Sequence, residues 1–392
     1  MVSCNDLMNL SIFKNIKLIA GERGIYKNIS WPYICQILDF SPWVNGGELM
    51  FLTGIGMDIN DDKIMKLIYN CSEKDISGLV ILTGSDGISC ISESVKKAAD
   101  DIKLPIFEMP WNLKLIDVTK DISNYIMKVT FNENKEREFL KSIIFSENLN
   151  RNHIVTLMNE IGFHLGKLYF IACFKIEEAS KKESGHIDYM MNMIKHRMER
   201  EKLKFILDFY EDNIVCFIES ENRESFNKEK VILKDIKENI LTDNASVLGF
   251  GGLCYDIFNV HQSYKEALKV IKLNRCNQWK NEIIDYEDVG FYKVLFEVND
   301  NYKLKRYCDE TLGTILDNDK NYDLLYTLRV YLMNDCNLIN TSKEMFIHRN
   351  TLIYRLSKIK MMIKGSLENP VFKNELVNAI MIYDYLQCEE TI

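Results

Sequence analysis

Apolar and polar positions follow two periods along this chain, and the switches between them divide it. In the first 110 residues, short continuous apolar runs alternate with stretches of helical spacing. The runs at 48–54 (ELMFLTG), 78–84 (GLVILTG) and 105–109 (PIFEM) predict buried strands, and 63–71 and 92–100 predict helices between them. The order β-α-β-α-β implies parallel strands with right-handed crossovers. Ligands of such sheets settle beyond the carboxyl ends of the strands. The first two runs both end in Leu-Thr-Gly, at Thr53-Gly54 and Thr83-Gly84, and neighbouring parallel strands bring those loops together. Glycine admits a close backbone approach and threonine adds a hydroxyl. This makes a candidate small-molecule crevice, with Trp43, Gly46, Gly47 and Glu48 on the approach to the first strand. Glycine-terminated strands that need a tight turn give the same pattern, and Trp43 fits a core anchor equally well.

Residues 115–165 read as helix. Ile122, Tyr125, Ile126 and Val129 form one apolar face, NENKERE at 132–138 is charge-dense, and Phe139, Leu140, Ile143 and Ile144 resume the face. Sustained heptads are missing. A connecting helix that pairs with a second chain and a helix packed on its own domain both fit. Residues 167–290 return to strand and helix signals: a buried strand at 168–176, a hairpin from 205–209 and 214–218, a strand with a glycine-rich end at 246–252, and a helix from His261.

The last quarter is helical. Leu324, Leu325, Leu328, Tyr331 and Leu332 make an apolar stripe that leads into 337–364, two helices with a break at Ile347 and His348. Leu352, Leu356, Ile359 and Ile363 form the core stripe of the second helix. Asn369-Pro370 is a helix start, and Leu376, Ala379, Ile380, Tyr383 and Leu386 give the inner face of a closing helix.

Charge changes the picture there. The whole chain has a formal net charge of -8, yet between residues 337 and 364 Lys343, Arg349, Arg355, Lys358, Lys360 and Lys364 face a single acid, Glu344. A basic island in an acidic protein fits a polyanion. The polar start of the second helix is where a helix-turn-helix carries its base-reading side chains. Arg349 offers a fork to guanine and Asn350 a bidentate pair to adenine, while His348, Thr351, Tyr354 and Arg355 are further base or phosphate candidates. Lys343 and Lys358 fit phosphate contacts. A solvated charged helix is the bland alternative.

The segment IHRNTLIYRL at 347–356 resembles the signature of the PucR/CdaR transcriptional regulators and is similar to the helix-turn-helix of the nucleoid protein Fis. The family often has two alanines in the preceding helix, where this chain has Thr341 and Ser342. GERG at 21–24, WVNGGEL at 43–49, Thr53-Gly54 and GLV at 78–80 resemble the PucR N-terminal domain, which the resemblance makes an effector sensor. SYKEAL at 263–268 and IIDYEDVG at 283–290 are similar to motifs of the GGDEF-like middle domain of the same family. That likeness raises nucleotide cyclase chemistry. A cyclase needs a glycine pair with acids in the hairpin turn to hold nucleotide and Mg²⁺, and here the turn is FYEDN at 209–213. Gly249, Gly251 and Gly252 do not spell a phosphate-binding loop.

The expected architecture is multidomain α/β plus all-α. It comprises an α/β sensor domain at 1–118, a helical linker at 119–165, a degenerate GGDEF-like α/β domain at 166–292, and a helical bundle with a helix-turn-helix at 293–392. The expected function is a ligand-responsive transcriptional regulator of PucR type that controls metabolic genes. Its implied partners are double-stranded operator DNA, a small purine-derived, ureide or amino-acid effector, and a second copy of itself or a higher homo-oligomer. A nucleotide-cyclase-like enzyme and a protein-binding scaffold are the alternatives. No cofactor, metal site or catalytic residue is expected. The start of the chain has no leader pattern and no apolar run is long enough for a bilayer, so a soluble, cytoplasmic protein without a membrane partner is expected. The 11 cysteines form no CxxC pair and read as reduced, mostly buried thiols, and the six histidines are dispersed.

Overall fold

The computed structural model describes residues 1–84, 88–146, 150–176, 185–241, 245–274, 282–298, 300–318 and 323–390. These form two compact units, Met1–Lys265 and Glu266–Ile392.

The first unit opens with α1 (Cys4–Met8), β1 (Lys17–Ala20), β2 (Trp31–Cys35), β3 (Glu48–Leu52), α2 (Asp61–Glu73), β4 (Gly78–Thr83), α3 (Glu93–Asp101) and β5 (Ile106–Pro110). The strands form one sheet in the order β1-β5-β4-β3-β2. The three runs read from sequence are its parallel centre, with Phe51 opposite Val80 and Val80 opposite Phe107. β2 joins them in parallel, while β1 lies antiparallel on the edge. Period-2 geometry sorts β3: Met50 and Leu52 pack with Ile64, Leu67 and Ile68 of α2, while Leu49 and Phe51 face the opposite core. Both faces are covered, which is why the central strands are continuous apolar runs. Each fully buried Leu, Ile or Phe contributes about 1.5–3 kcal/mol. A truncation such as Phe51→Ala costs about 3–5 kcal/mol.

The opposite core is closed by α4 (Leu115–Phe145), a single helix of 31 residues. Its first half buries Val118, Ile122 and Ile126 against the sheet. Its last turns bury Phe139, Leu140, Ile143 and Ile144, and no residue from 127 to 138 is buried. The expected linker is therefore a shared structural element whose ends lie in two different cores.

The second of those cores belongs to α5 (Arg151–Glu160), β6 (Leu168–Ile176), α6 (His186–Arg200), β7 (Lys204–Tyr210), β8 (Asn213–Ser220), α7 (Arg223–Asn239), β9 (Ala245–Phe250) and the start of α8 (Val260–Leu273). The strands run β9-β6-β8-β7, each antiparallel to its neighbour. Phe217 and Tyr169 stack at 5.8 Å on the α4 side, where Phe139 meets Phe217 edge-on at 5.8 Å. Phe170, one residue along, meets Phe226 of α7 at 4.8 Å on the other side. The backbone turn between β7 and β8 holds only Glu211 and Asp212, both left-handed with φ of 44° and 68°. It is the mirror-image turn that suits tight hairpins. The glycine-rich end of β9 has a packing role: a Cβ on Gly251 would sit 1.9 Å from the Ser263 carbonyl oxygen. Ser263 is fully buried, and its hydroxyl accepts the Ile171 amide at 2.9 Å. The SYKEAL motif thus locks α8 onto β6.

The second unit continues through β10 (Ile283–Asp285), α9 (Tyr292–Leu295), α10 (Asn301–Asn318), α11 (Asp323–Met333), α12 (Leu338–Glu344), α13 (Arg349–Met362) and α14 (Pro370–Glu390). Leu324, Leu325 and Leu328, then Leu352, Leu356 and Ile359, then Leu376, Ala379 and Ile380 share one core with Leu312 and Ile315. Ile363 packs at its edge. The Val371 amide donates to Asn369 Oδ1 at 2.9 Å and starts α14 where the Asn-Pro step predicts.

Cys4, Cys35, Cys71, Cys173, Cys216, Cys254 and Cys308 are free and buried, Cys336 is half-buried and Cys90 is exposed. Cys388 departs from the expected reduced set and is disulfide-bonded. Among the described residues no helix is long and apolar enough to cross a membrane. No group of three His, Cys, Asp or Glu side chains among them is placed to hold a metal ion.

Candidate nucleic-acid interface and sensor loops

The helix pair is built by its caps. Asn337 Oδ1 accepts the amides of Ile339 and Asn340 at 2.9 and 3.1 Å and starts α12. Thr341 is fully buried and returns its hydroxyl to the Asn337 carbonyl at 2.7 Å, so the small residue in place of the family's alanine is satisfied. α12 ends with the Ile347 amide on the Ser342 carbonyl and the Phe346 amide on the Lys343 carbonyl, both at 3.1 Å. This is the Schellman arrangement, whose left-handed position is normally glycine. Here that position is Phe346, with φ of 52°. Its side chain is 95% exposed. Sequence reasoning missed Phe346. A bulky residue at the helix-ending position just before His348 is the signal that points to it.

His348 is the cap of α13, its Nδ1 accepting the Asn350 amide at 3.2 Å. The cap fixes the ring against the helix start, so His348 shapes the tip as much as it faces outward. Arg349, Asn350 and Thr351 are all exposed on the first turn. Asn350, Tyr354, Ser357 and Met361, at i, i+4, i+7 and i+11, form the outward ridge opposite the buried stripe. Lys358 lies beside it with Nζ 4.7 Å from the Tyr354 ring centre. Lys343 is exposed near the end of α12. Arg355 differs from the others. It turns back to α11, 3.3 Å from Asp323 and 3.4 Å from the Thr327 hydroxyl. The arrangement offers a cationic, donor-rich helix tip with a polar ridge behind it.

The eight sensor-loop candidates separate into two groups at opposite ends of β3. Beyond its carboxyl end, the Thr83 hydroxyl donates to Glu108 Oε1 at 3.0 Å, and the Ile55 amide reaches Thr53 Oγ1 at 3.4 Å. Gly54 has φ of 76°, and a Cβ on Gly84 would meet Trp111 Cβ at 2.6 Å. Both glycines therefore have backbone reasons to be there. Before the amino end, Glu48 is buried and its carboxylate accepts the amides of Asn45 and Gly46 at 2.8 and 2.9 Å, so it pins its own loop. Trp43 is 68% exposed and anchors no core. Gly46 and Gly47 line a hollow that also touches α6, a wall that strand-end reasoning does not anticipate.

Residues 6–126 match the Purine catabolism regulatory protein-like family, 146–273 the GGDEF-like domain, and 324–382 the PucR C-terminal helix-turn-helix domain. Three curated relatives come from Bacillus subtilis (strain 168). The Proline-responsive transcriptional activator PutR is 30% identical over 31% of this chain and 30% of its own length. The DNA-binding transcriptional activator AdeR is 30% identical over 35% of this chain and 33% of its own. A Purine catabolism regulatory protein is 30% identical over 31% of this chain and 23% of its own. The chain thus spans at most about a third of the length of the curated relatives it matches. The solved Crystal Structure of Regulator of Polyketide Synthase Expression from Bifidobacterium adolescentis is 14% identical, covering 64% of this chain and 97% of that chain at a TM-score of 0.33.

Proposed function

The chain carries the three domains of the PucR type in order, a PucR N-terminal domain, a GGDEF-like domain and a PucR C-terminal helix-turn-helix, and on that footing we propose that it is an effector-responsive, DNA-binding regulator of catabolic genes. The observation that carries this is the tip of α13, where Arg349, Asn350 and Thr351 stand exposed on a capped helix start beside the basic residues of the island. In the major groove that tip presents a guanidinium to guanine O6 and N7 and a carboxamide to adenine N6 and N7. Lys343 and Lys358 meet flanking phosphates. Two copies, related by a twofold axis, read half-sites about 34–36 Å apart on a pseudo-palindrome. The GGDEF-like domain relays and does not catalyse: its hairpin turn is Glu211-Asp212 without the glycine pair that a nucleotide phosphate requires. An effector biases DNA binding only as far as it binds two arrangements of the protein unequally.

Fluorescence anisotropy of the full chain on the DNA flanking its own gene tests this, with random DNA and Arg349→Ala in parallel at two salt concentrations. Preference for one segment, lost with Arg349, is expected. Equal binding to all sequences in every condition sinks the assignment.

A further inference from the structure

A hollow of about 470 Å³ lies between the loops at the amino-terminal edge of the first sheet and the start of α6. That volume is in the range of small-ligand sites. Arg23, Lys27, Asp75 and Lys103 line one wall, and His186 and Asp188 the other. The first wall lies in the segment that matches the PucR N-terminal family and the second in the GGDEF-like segment. The walls are tied at the rim. The Tyr189 hydroxyl donates to the Arg23 carbonyl and Asn192 Nδ2 to the Tyr26 carbonyl, both at 3.0 Å. Tyr26 also meets the Tyr189 ring edge-on at 6.2 Å.

The charges of the lining are not all used internally. Lys27 pairs with Asp75 at 3.2 Å. Among the described residues Arg23 and Lys103 have no ion-pair partner, so two cations remain on the first wall. Asp188 remains on the second wall, and burial pushes its carboxyl up from the usual carboxylate value. The Met1 amino group and Arg137 pull the other way without cancelling the effect of burial, and a half-buried acid so placed gains from a cation brought closer.

We propose that this hollow is the effector site and that it takes a small zwitterion, its carboxylate toward Arg23 and Lys103 and its ammonium toward Asp188. The ligand then touches both domains and strengthens their docking, which is how occupancy reaches the rest of the chain. The proposal rests on the effector-responsive reading above and places the site at the amino-terminal edge of the sheet instead of at its Leu-Thr-Gly loops.

The test is thermal unfolding of the full chain with each of the standard protein amino acids in turn. At least one is expected to raise the midpoint by several degrees, while its N-acetyl and carboxamide derivatives do not. Asp188→Asn and Arg23→Ala are each expected to abolish that rise, measured against the variant's own unliganded midpoint. If either variant folds poorly, Lys103→Ser carries the same test. No rise with any amino acid overturns the proposal, as does a rise that survives the substitutions or one that the N-acetyl derivative reproduces. Operator binding measured without added amino acid keeps the two readings apart. Its absence counts against the regulator assignment, and the unfolding series alone decides the site.

Discussion

Arg355 of α13 is 3.3 Å from Asp323, at the first turn of α11. A side chain that the family signature offers as a DNA contact is thus already engaged within its own domain. Its place outside the apolar stripe reflects an interhelical tie, because the guanidinium also reaches the Thr327 hydroxyl at 3.4 Å. Arg355→Ala is expected to destabilise the helical domain by about 1 kcal/mol, the scale for a partly exposed pair with one added hydrogen bond. It should weaken all DNA sequences alike. Thermal unfolding and anisotropy on a base-substituted operator series check this. A loss confined to one base position, with stability unchanged, would reassign Arg355 to base reading.

Among the described residues Arg349 has no such tie, and it stands at the exposed tip. Arg349→Ala is expected to cost about 1–3 kcal/mol on the specific site and to relax one base position. Lys358→Ala should instead lower binding everywhere and reduce the slope of log affinity against log salt by about one. Titrations at several salt concentrations separate the two behaviours.

Phe346 combines a left-handed backbone with a solvent-exposed ring. Relieving that conformation with Phe346→Gly is expected to stabilise the domain by about 1 kcal/mol. Chemical denaturation of wild type and variant measures the gain. The exposed ring precedes the α13 tip, and a loss of DNA affinity in the stabilised variant is the expected companion result. A variant no more stable than wild type would show that the turn carries no strain.

Glu133 of α4 lies 3.1 Å from Lys195 of α6 and also contacts the Met1 amino group. Burial pushes the Glu133 carboxyl up, but the Met1 amino group and Lys195 together outweigh it and hold the carboxyl below the usual range. Burial lowers the Lys195 pKa, and the neighbouring acids, Glu133 first, more than reverse this. A depressed carboxyl contributes stability above its ordinary pKa and loses it as pH falls through the folded value. A raised lysine contributes below its ordinary pKa and loses it as pH rises through the folded value. Burial pushes the Met1 amino group below its ordinary value, so the full contribution is present between the carboxylate range and the titration of that amino group, and the Lys195 part persists up to the lysine range. Lys195→Met is expected to cost about 2 kcal/mol at neutral pH and to flatten both arms of the stability profile. Unfolding midpoints across the pH range would show it.

Burial pushes the Cys4 thiol up to about 12 and raises Cys71, Cys173 and Cys216 as well. Thiolates are the reactive species. Alkylation of the native protein near neutral pH is expected to label exposed Cys90 first and half-buried Cys336 next, while these four react only after denaturation. Peptide mass mapping reads the order.

The parallel centre of the first sheet was legible because β3, β4 and β5 are buried on both faces and show as unbroken apolar runs. β2 was not, since WPYIC at 31–35 is only partly buried and begins with an exposed tryptophan and a proline. The helix-turn-helix was legible through its stripe, its break at Ile347 and His348 and its charge, and the cap made by His348 was not. The turn back of Arg355 was not, because a tie to Asp323 depends on how α11 and α13 cross, which no local pattern encodes. For the same reason the hollow beside α6 escaped notice, as its walls come from residues more than eighty positions apart in the chain. Glycine pairs and Thr-Gly steps at strand ends drew attention to backbone geometry that has its own reasons to exist, as at Gly84 against Trp111.

The unbroken course of α4 makes its length a quantised variable. An α-helix turns by about 100° and climbs about 1.5 Å per residue. One residue inserted into the unburied stretch at 127–138 would swing Phe139, Leu140, Ile143 and Ile144 out of their core while Val118, Ile122 and Ile126 stayed in theirs. Lengthening by a whole number of turns would preserve both faces while parting the contacts of α6 with the first sheet's loops, such as the Tyr189 hydroxyl on the Arg23 carbonyl. Swaps of N-terminal domains between such proteins should therefore fail at junctions in this stretch offset by a single residue, while offsets of about seven residues, two turns, keep both faces in register.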